Sequence, residues 1–339
     1  MLFLLLLFLA VDSPTQLLQR GLLALQSGDL AQARGALEQA AKAEPRNAYA
    51  WVSLAETYAR LDEPAAASAA AAKAEKFGAG NQTISRALLL YYTKAAAQHP
   101  SPGAENALGR SLLAAGRGED AEKHLASAWE GQKTDPRFAF DYSEVLLRKQ
   151  DFGHAAEVVS TALAAHPNDA QLVLTLGVAR YGQRRFDDAI AAFLRVIRID
   201  PQIEQPYLFL GKMLDQAGEH LAAITGAYEK WLARNPRNPA ALLLLAKARL
   251  AGDPKDATAE ALLRKSISIE ERNWEAHYEL GVLLEGKRVW QGAAAELRRS
   301  AELNASQAMP HYHLARVYDR LGEGEKAQAE RALHETLAK

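Results

Sequence analysis

A period of 34 residues runs through this chain and restricts its fold more than any other feature. Two proline joints, Ala-His-Pro167-Asn and Ile-Asp-Pro201-Gln, stand one period apart, and Glu-Pro45-Arg, Asp-Pro136-Arg and Asn-Pro236-Arg are similar joints elsewhere. Between the joints a second pattern recurs. Trp51-Val-Ser-Leu54-Ala55-Glu-Thr-Tyr58 is repeated in spacing by Tyr207…Leu210-Gly211…Leu214, His277…Leu280-Gly281…Leu284 and His311…Leu314-Ala315…Tyr318. About twelve residues after each small residue comes an alanine, with a large residue four later: Ala189 with Phe193, Ala121 with Leu125, Ala33 with Leu37, Ala293 with Leu297. Offsets of three, four and seven fall on one face of an α-helix. Each period therefore reads as two helices joined by a short turn, as at Gln26-Ser-Gly28-Asp29, Gln216-Ala-Gly218-Glu219 and Leu321-Gly322-Glu323.

The small residues have a packing reason. Gly177, Gly211 or Ala55 on the first helix and Ala189, Ala223 or Ala67 on the second let the two axes approach to the usual 8–10 Å. Trp51, Tyr58, Phe193 and Leu297 then fill the space between units. A proline closes each second helix because it cannot continue the hydrogen-bond ladder. One hairpin of this size cannot bury its apolar face alone, so stability must come from stacking on neighbours.

These motifs resemble the tetratricopeptide repeat family. The resemblance implies an all-α fold, a right-handed superhelical solenoid of antiparallel helix pairs. It covers residues 14–339, in nine units at 14–47, 48–81, 102–135, 136–169, 170–203, 204–238, 239–273, 274–307 and 308–339. Residues 82–101 hold one helix-like stretch without a mate, an irregular helical spacer. The sixth and seventh units are each one residue long of register, near Thr225-Gly226 and Gly252-Asp253-Pro254.

Chemistry-bearing patterns are thin. The 40 basic and 41 acidic residues leave no excess of cations for nucleic-acid phosphates, so a nucleic-acid partner is not expected. Cysteine is absent, which removes disulfides, thiolate metal sites and thiol nucleophiles. No His-Glu-x-x-His pair, phosphate-binding glycine loop or Gly-x-Ser-x-Gly elbow occurs, so no catalytic, cofactor-binding or metal-ligating residue is expected and the chain reads as a non-enzyme. His277 and His311 stand at the large-residue position of Trp51 and Tyr207 and read as packing groups.

Residues 1–13 form a separate signal-like segment: Met1-Leu-Phe-Leu-Leu-Leu-Leu-Phe-Leu-Ala-Val11 is an unbroken apolar run closed by Asp12, Ser13 and Pro14. It is shorter than the roughly 20 residues that span a bilayer, and it has the length of a signal-peptide core. It reads as an export signal or a short anchor, with membrane association through residues 1–11, and so as an exported, periplasmic, secreted or membrane-tethered protein. The alternative is an apolar tail docked on the first helices.

The resemblance also implies a function: a non-catalytic scaffold or adaptor that holds a partner peptide or helix in a groove lined by first helices. Projected onto this chain, the second, fifth, ninth and twelfth positions of the units select Arg110, Phe140 and Glu144, then Tyr181, Lys212 and Asp215, then Lys247, Tyr278 and Arg316. Leu174, Leu208 and Leu243 share those positions and read either as groove or as packing against neighbouring helices. The paired Lys and Asn with which this family's best-known receptors grip a C-terminal carboxylate are not reproduced, since Asn106 and Arg110 face Phe140 and Glu144 of the next unit. Two other readings stand beside the scaffold: a substrate-binding accessory subunit of a catalytic (for example glycosyltransferase) or envelope or pilus-assembly complex, and a peptidoglycan- or carbohydrate-binding module.

Overall fold

A computed structural model describes residues 12–338; the signal-like run 1–11 lies outside the described residues. The described chain is all-helical and divides into two compact units between Ala165 and His166. The first holds α1 (Pro14–Ser27), α2 (Leu30–Ala43), α3 (Ala48–Arg60), α4 (Pro64–Phe77), α5 (Gln82–Gln98), α6 (Pro102–Ala114), α7 (Gly118–Gly131), α8 (Pro136–Arg148) and α9 (Phe152–Ala165). The second holds α10 (Ala170–Gly182), α11 (Phe186–Ile199), α12 (Gln205–Gly211), α13 (Leu221–Arg234), α14 (Pro239–Gly252), α15 (Ala259–Ile269), α16 (Trp274–Gly286), α17 (Trp290–Leu303), α18 (Ala308–Leu321) and α19 (Gly324–Leu337). Consecutive helices pair, α1 with α2 through α18 with α19, except that α5 stands alone between the α3–α4 and α6–α7 pairs and packs on helices of both.

Each joint between pairs is built from the same parts. Pro45, Pro167 and Pro236 each follow the end of a second helix, and two residues later Asn47, Asp169 and Asn238 cap the next first helix by accepting from its opening amides. Such caps satisfy donors that have no partner inside the helix. The large residue at the fourth position then reaches back six residues into the joint. Trp51 Nε1 donates to the Pro45 carbonyl at 2.8 Å and Tyr207 Oη to that of Pro201 at 3.2 Å, while His277 Nε2 lies 3.1 Å from the Glu271 carbonyl. His277 and His311 are buried, and each also meets a second-helix carboxylate at 2.6 Å, Glu296 and Glu330.

The turn inside each pair except α14–α15 has one left-handed residue. Gly28, Gly116, Gly218 and Gly322 hold it, and so do Asp62, Gln150, Arg184 and Arg288, with φ of 60–62°. Glycine takes that conformation freely, whereas a Cβ there is opposed by the carbonyl beside it.

Inside a pair the small residue of the first helix lies against a large side chain sixteen residues on. A Cβ on Gly109 would stand 2.5 Å from Leu125, on Gly177 2.7 Å from Phe193, and on Gly281 2.6 Å from Leu297. Phe193, Leu125 and Leu297 are in turn wholly buried.

The sixth pair departs from the pattern. The expected close-packed Ala223 is exposed, and Ile224 takes the buried place. The extra residue therefore lies upstream of Thr225-Gly226, between Gly211 and Ile224, where α12 gives way to two 3₁₀ turns, Leu214–Gln216 and Gly218–His220. In the seventh pair the extra residue sits in the connection 253–258 between α14 and α15.

Two outcomes test this account. Gly281→Ala is expected to cost about 1–3 kcal/mol through overpacking against Leu297. Arg288→Gly, which relieves a left-handed side chain, is expected to gain about 0.5–1 kcal/mol. Urea denaturation followed by circular dichroism reads both; a neutral Gly281→Ala would mean that the helices can part without loss.

Candidate interaction face

In the C-terminal unit the first helices α10, α14, α16 and α18, and the turns that follow α12, carry the charged and aromatic residues selected from the sequence. Tyr181 closes α10, and its ring meets Phe186 and Phe209 edge-on at 6.0 and 5.7 Å. Phe209 stacks flat on Phe193 at 4.9 Å, and the Lys212 ammonium lies 5.6 Å from the Phe209 ring centre. Tyr181 and Lys212 are thus brought together through Phe209, which the position rule did not select. Lys212 and Asp215 are exposed, neither has an ion-pair partner among the described residues, and Leu208 beside them is 45% exposed.

Lys247 is employed differently. From α14 its ammonium reaches across to α16, where it binds Glu275 and lies 3.6 Å from Glu279. Burial alone would lower the Lys247 pKa, but the Glu279 and Glu275 carboxylates outweigh it and hold the ammonium above its ordinary range. One ammonium does not neutralise two carboxylates. Burial, reinforced by Glu275 and Asp215, raises the Glu279 carboxyl against the pull of Lys247.

The next tie joins α16 to α18. The buried Glu285 carboxylate forms an ion pair with Arg316, 3.2 Å from its Nε, and meets His313 Nδ1 at 2.6 Å. Tyr278 and Tyr312 face the His313 ring edge-on at 5.7 and 5.2 Å, and the Arg316 guanidinium lies over Tyr312 at 5.6 Å. The Tyr278 phenol is pushed up to about 12 by burial and by the Glu279 and Glu285 carboxylates. Tyr278 and Arg316 therefore belong to one cluster.

In the N-terminal unit Arg110 on α6 binds Glu75 of α4 at 2.5 Å and lies 3.9 Å from Asp141 of α8. Asn106 donates to the same Asp141 carboxylate at 2.9 Å, and burial raises that carboxyl despite both neighbours. Phe140 is half-buried, and Glu144 binds Arg148 one turn along α8 at 2.5 Å. Arg110 thus meets Asp141 rather than Phe140 or Glu144.

A rule emerges that the sequence reading did not include. A cation at the ninth position of one first helix meets an acid at the sixth position of the next: Arg110 with Asp141, Lys247 with Glu279. Its signal in the sequence is a cation followed one unit later by an acid three positions earlier in the repeat, and that acid falls outside the second, fifth, ninth and twelfth positions.

The tetratricopeptide repeat family model matches residues 18–82, 106–170, 143–204 and 174–239. No curated protein sequence matches the chain. Similar solved structures include yeast Tom70, 13% identical, with 97% of this chain and 86% of that chain covered and a TM-score of 0.47. A tetratricopeptide repeat protein from Parabacteroides merdae ATCC 43184 is 13% identical over 90% of this chain and 98% of its own, with a TM-score of 0.43. YrrB, described as a TPR protein with an unusual peptide-binding site, is 15% identical over 63% of this chain and 91% of its own, with a TM-score of 0.37.

The raised Glu279 carboxyl makes a pH prediction. The folded chain holds this proton to higher pH than the unfolded chain does. The penalty for ionising it is therefore absent below the ordinary glutamate range, grows as pH rises through the folded-state value, and is complete above it. Glu279→Gln is expected to raise the urea midpoint near neutral pH and to leave it unchanged at about pH 4. A fall near neutral pH would show that the tie to Lys247 outweighs burial.

Proposed function

The chain belongs to the tetratricopeptide repeat family, and on that premise we propose that it is a non-catalytic scaffold holding a partner peptide or helix on the first-helix face of its C-terminal unit. One observation carries this reading. Lys247, Arg316, Arg110 and Glu144 spend their charges on neighbouring side chains of the same chain, whereas Lys212 and Asp215 are exposed without an ion-pair partner among the described residues, beside exposed Leu208 and the Tyr181–Phe209 rings. An aromatic and aliphatic anchor edged by charges of both signs is what a protein partner can bury and pair with. The same proposal places the scaffold outside the cytoplasm or tethered to a membrane, on the strength of the apolar run over residues 1–11. No helix among the described residues is long and apolar enough to cross a membrane.

The test is partner recovery. Proteins captured with the wild-type chain by cross-linking are identified, and the partner is then titrated against Tyr181→Ala/Lys212→Ala. A loss of affinity of about tenfold or more is expected from removing two contact side chains. Unchanged affinity with folding intact would place the contact elsewhere. For the location, sequencing the amino terminus of the mature protein from fractionated cells gives the answer; an intact terminus in the soluble cytoplasmic fraction would overturn it.

A further inference from the structure

The N-terminal unit holds a second surface, separate from the face just described. Between α3 and α5 lies a groove of about 550 Å³. α5 has no second helix of its own. Its buried stripe, Ile84, Leu88, Tyr92 and Ala96, is spent on the core shared with α3, α4 and α6. The opposite side of α5 is left uncovered, and Leu90 there is 61% exposed. Val52 and Ala59 on α3, with Ala87 and Ala95 on α5, keep the walls short and apolar.

The charge of this surface is one-sided. Arg86, Leu90 and Lys94 are four residues apart and share one face of α5, a helix that contains no acidic residue. Lys94 also lines the groove, and from α3 so does Arg60, whose guanidinium donates to the Leu25 carbonyl at 2.9 Å. Among the described residues none of these three cations has a carboxylate partner, and Glu56 is the one acid in the lining. The whole chain is nearly neutral, at −1, so this concentration of free cations is local.

We propose that the α3–α5 groove docks an acidic amphipathic helix of a protein partner, with its apolar stripe against Leu90, Tyr91 and the alanines and its carboxylates on Arg60, Arg86 and Lys94. The walls follow helical spacing, and the α5 wall from Ala87 to Gln98 rises about 16 Å, three turns. Neutral polar side chains in the lining are three: Ser53, whose hydroxyl is given to the Tyr49 carbonyl at 2.8 Å, Tyr91 and Gln98. An extended peptide would find few partners for its backbone amides there. A helix satisfies its own backbone and needs from the groove only apolar contact and charge.

The test uses the full chain and a fluorescein-labelled helical peptide of about four turns, with leucines along one face and glutamates flanking them. Its counterpart carries lysines in place of the glutamates. The acidic probe is expected to bind, and the basic one at least about tenfold more weakly. Lys94→Glu should weaken the acidic probe about fivefold and strengthen the basic one. Ala59→Trp, which fills the groove, should abolish binding with the circular dichroism unchanged. If it unfolds, the charge reversal at exposed Lys94 and Arg86 decides. Benzophenone placed at position 90 should cross-link to the probe. The proposal is overturned if neither probe binds, if both bind equally, or if the folded Ala59→Trp variant still binds. It is also overturned if position 90 cross-links to a second copy or to residues 1–11, or if Lys94→Glu removes association with phosphatidylserine vesicles while the probe does not bind.

Discussion

The contact between the small residue of each first helix and the large side chain of its mate is the constraint on which the rest of this chain depends. At Gly109, Gly177 and Gly281 the partner carbon lies so close that a Cβ has no room. That approach is what allows a pair to present a flat apolar side to the next pair, and without such a side no pair has an interior. The spacing of the buried residues must then hold from pair to pair. From Gly177 to Ala189, and from Gly281 to Ala293, it is twelve residues.

Where the spacing is thirteen, the chain absorbs the extra residue in two different ways. Between Ala246 and Ala259 it goes into the connection, and α14 remains a full helix. Between Gly211 and Ile224 it goes into the backbone: α12 stops after seven residues and continues as tight 3₁₀ turns. The contact at Gly211 is then supplied by Leu244 of the next pair, while Tyr228 slides beneath and donates to the Tyr207 carbonyl at 2.9 Å. A mid-helix 3₁₀ segment often marks a functional hinge or a sequence under strain. Here the segment holds Asp215 and follows Lys212, the selected charges that no neighbouring helix claims.

The first-helix faces serve two purposes. Lys247 and Arg316 hold consecutive first helices together, the one through half-buried Glu275 and Glu279 and the other through buried Glu285, so they shape the face as much as they line it. Removing one would take a counter-charge from a partly or wholly buried carboxylate, a loss of stability as well as of contact. An alanine scan of the face would therefore mix two effects except at exposed groups such as Lys212 and Asp215.

The helix pairs, their turns and the solitary helix over 82–98 were legible because they rest on local rules: periodicity, proline, glycine and caps act within a few residues of each other. The glycine at a turn could be read at Gly28 and Gly322, but not its equivalents Gln150, Arg184 and Arg288, because an ordinary side chain gives no sign that the stacked helices force its backbone into the left-handed region. Of the two one-residue insertions, the one near Gly252-Asp253-Pro254 stands where the sequence puts it and the one near Thr225-Gly226 lies upstream, since sequence counts residues without saying whether a loop or a helix yields. Which charges are free was a matter for the tertiary structure alone. Lys212 and Lys247 occupy the same position in the repeat, and they differ because an acidic pair stands one helix away from Lys247 and an aromatic ring lies beneath Lys212. Ion pairing depends on distance through space, and the repeat fixes only distance along the chain.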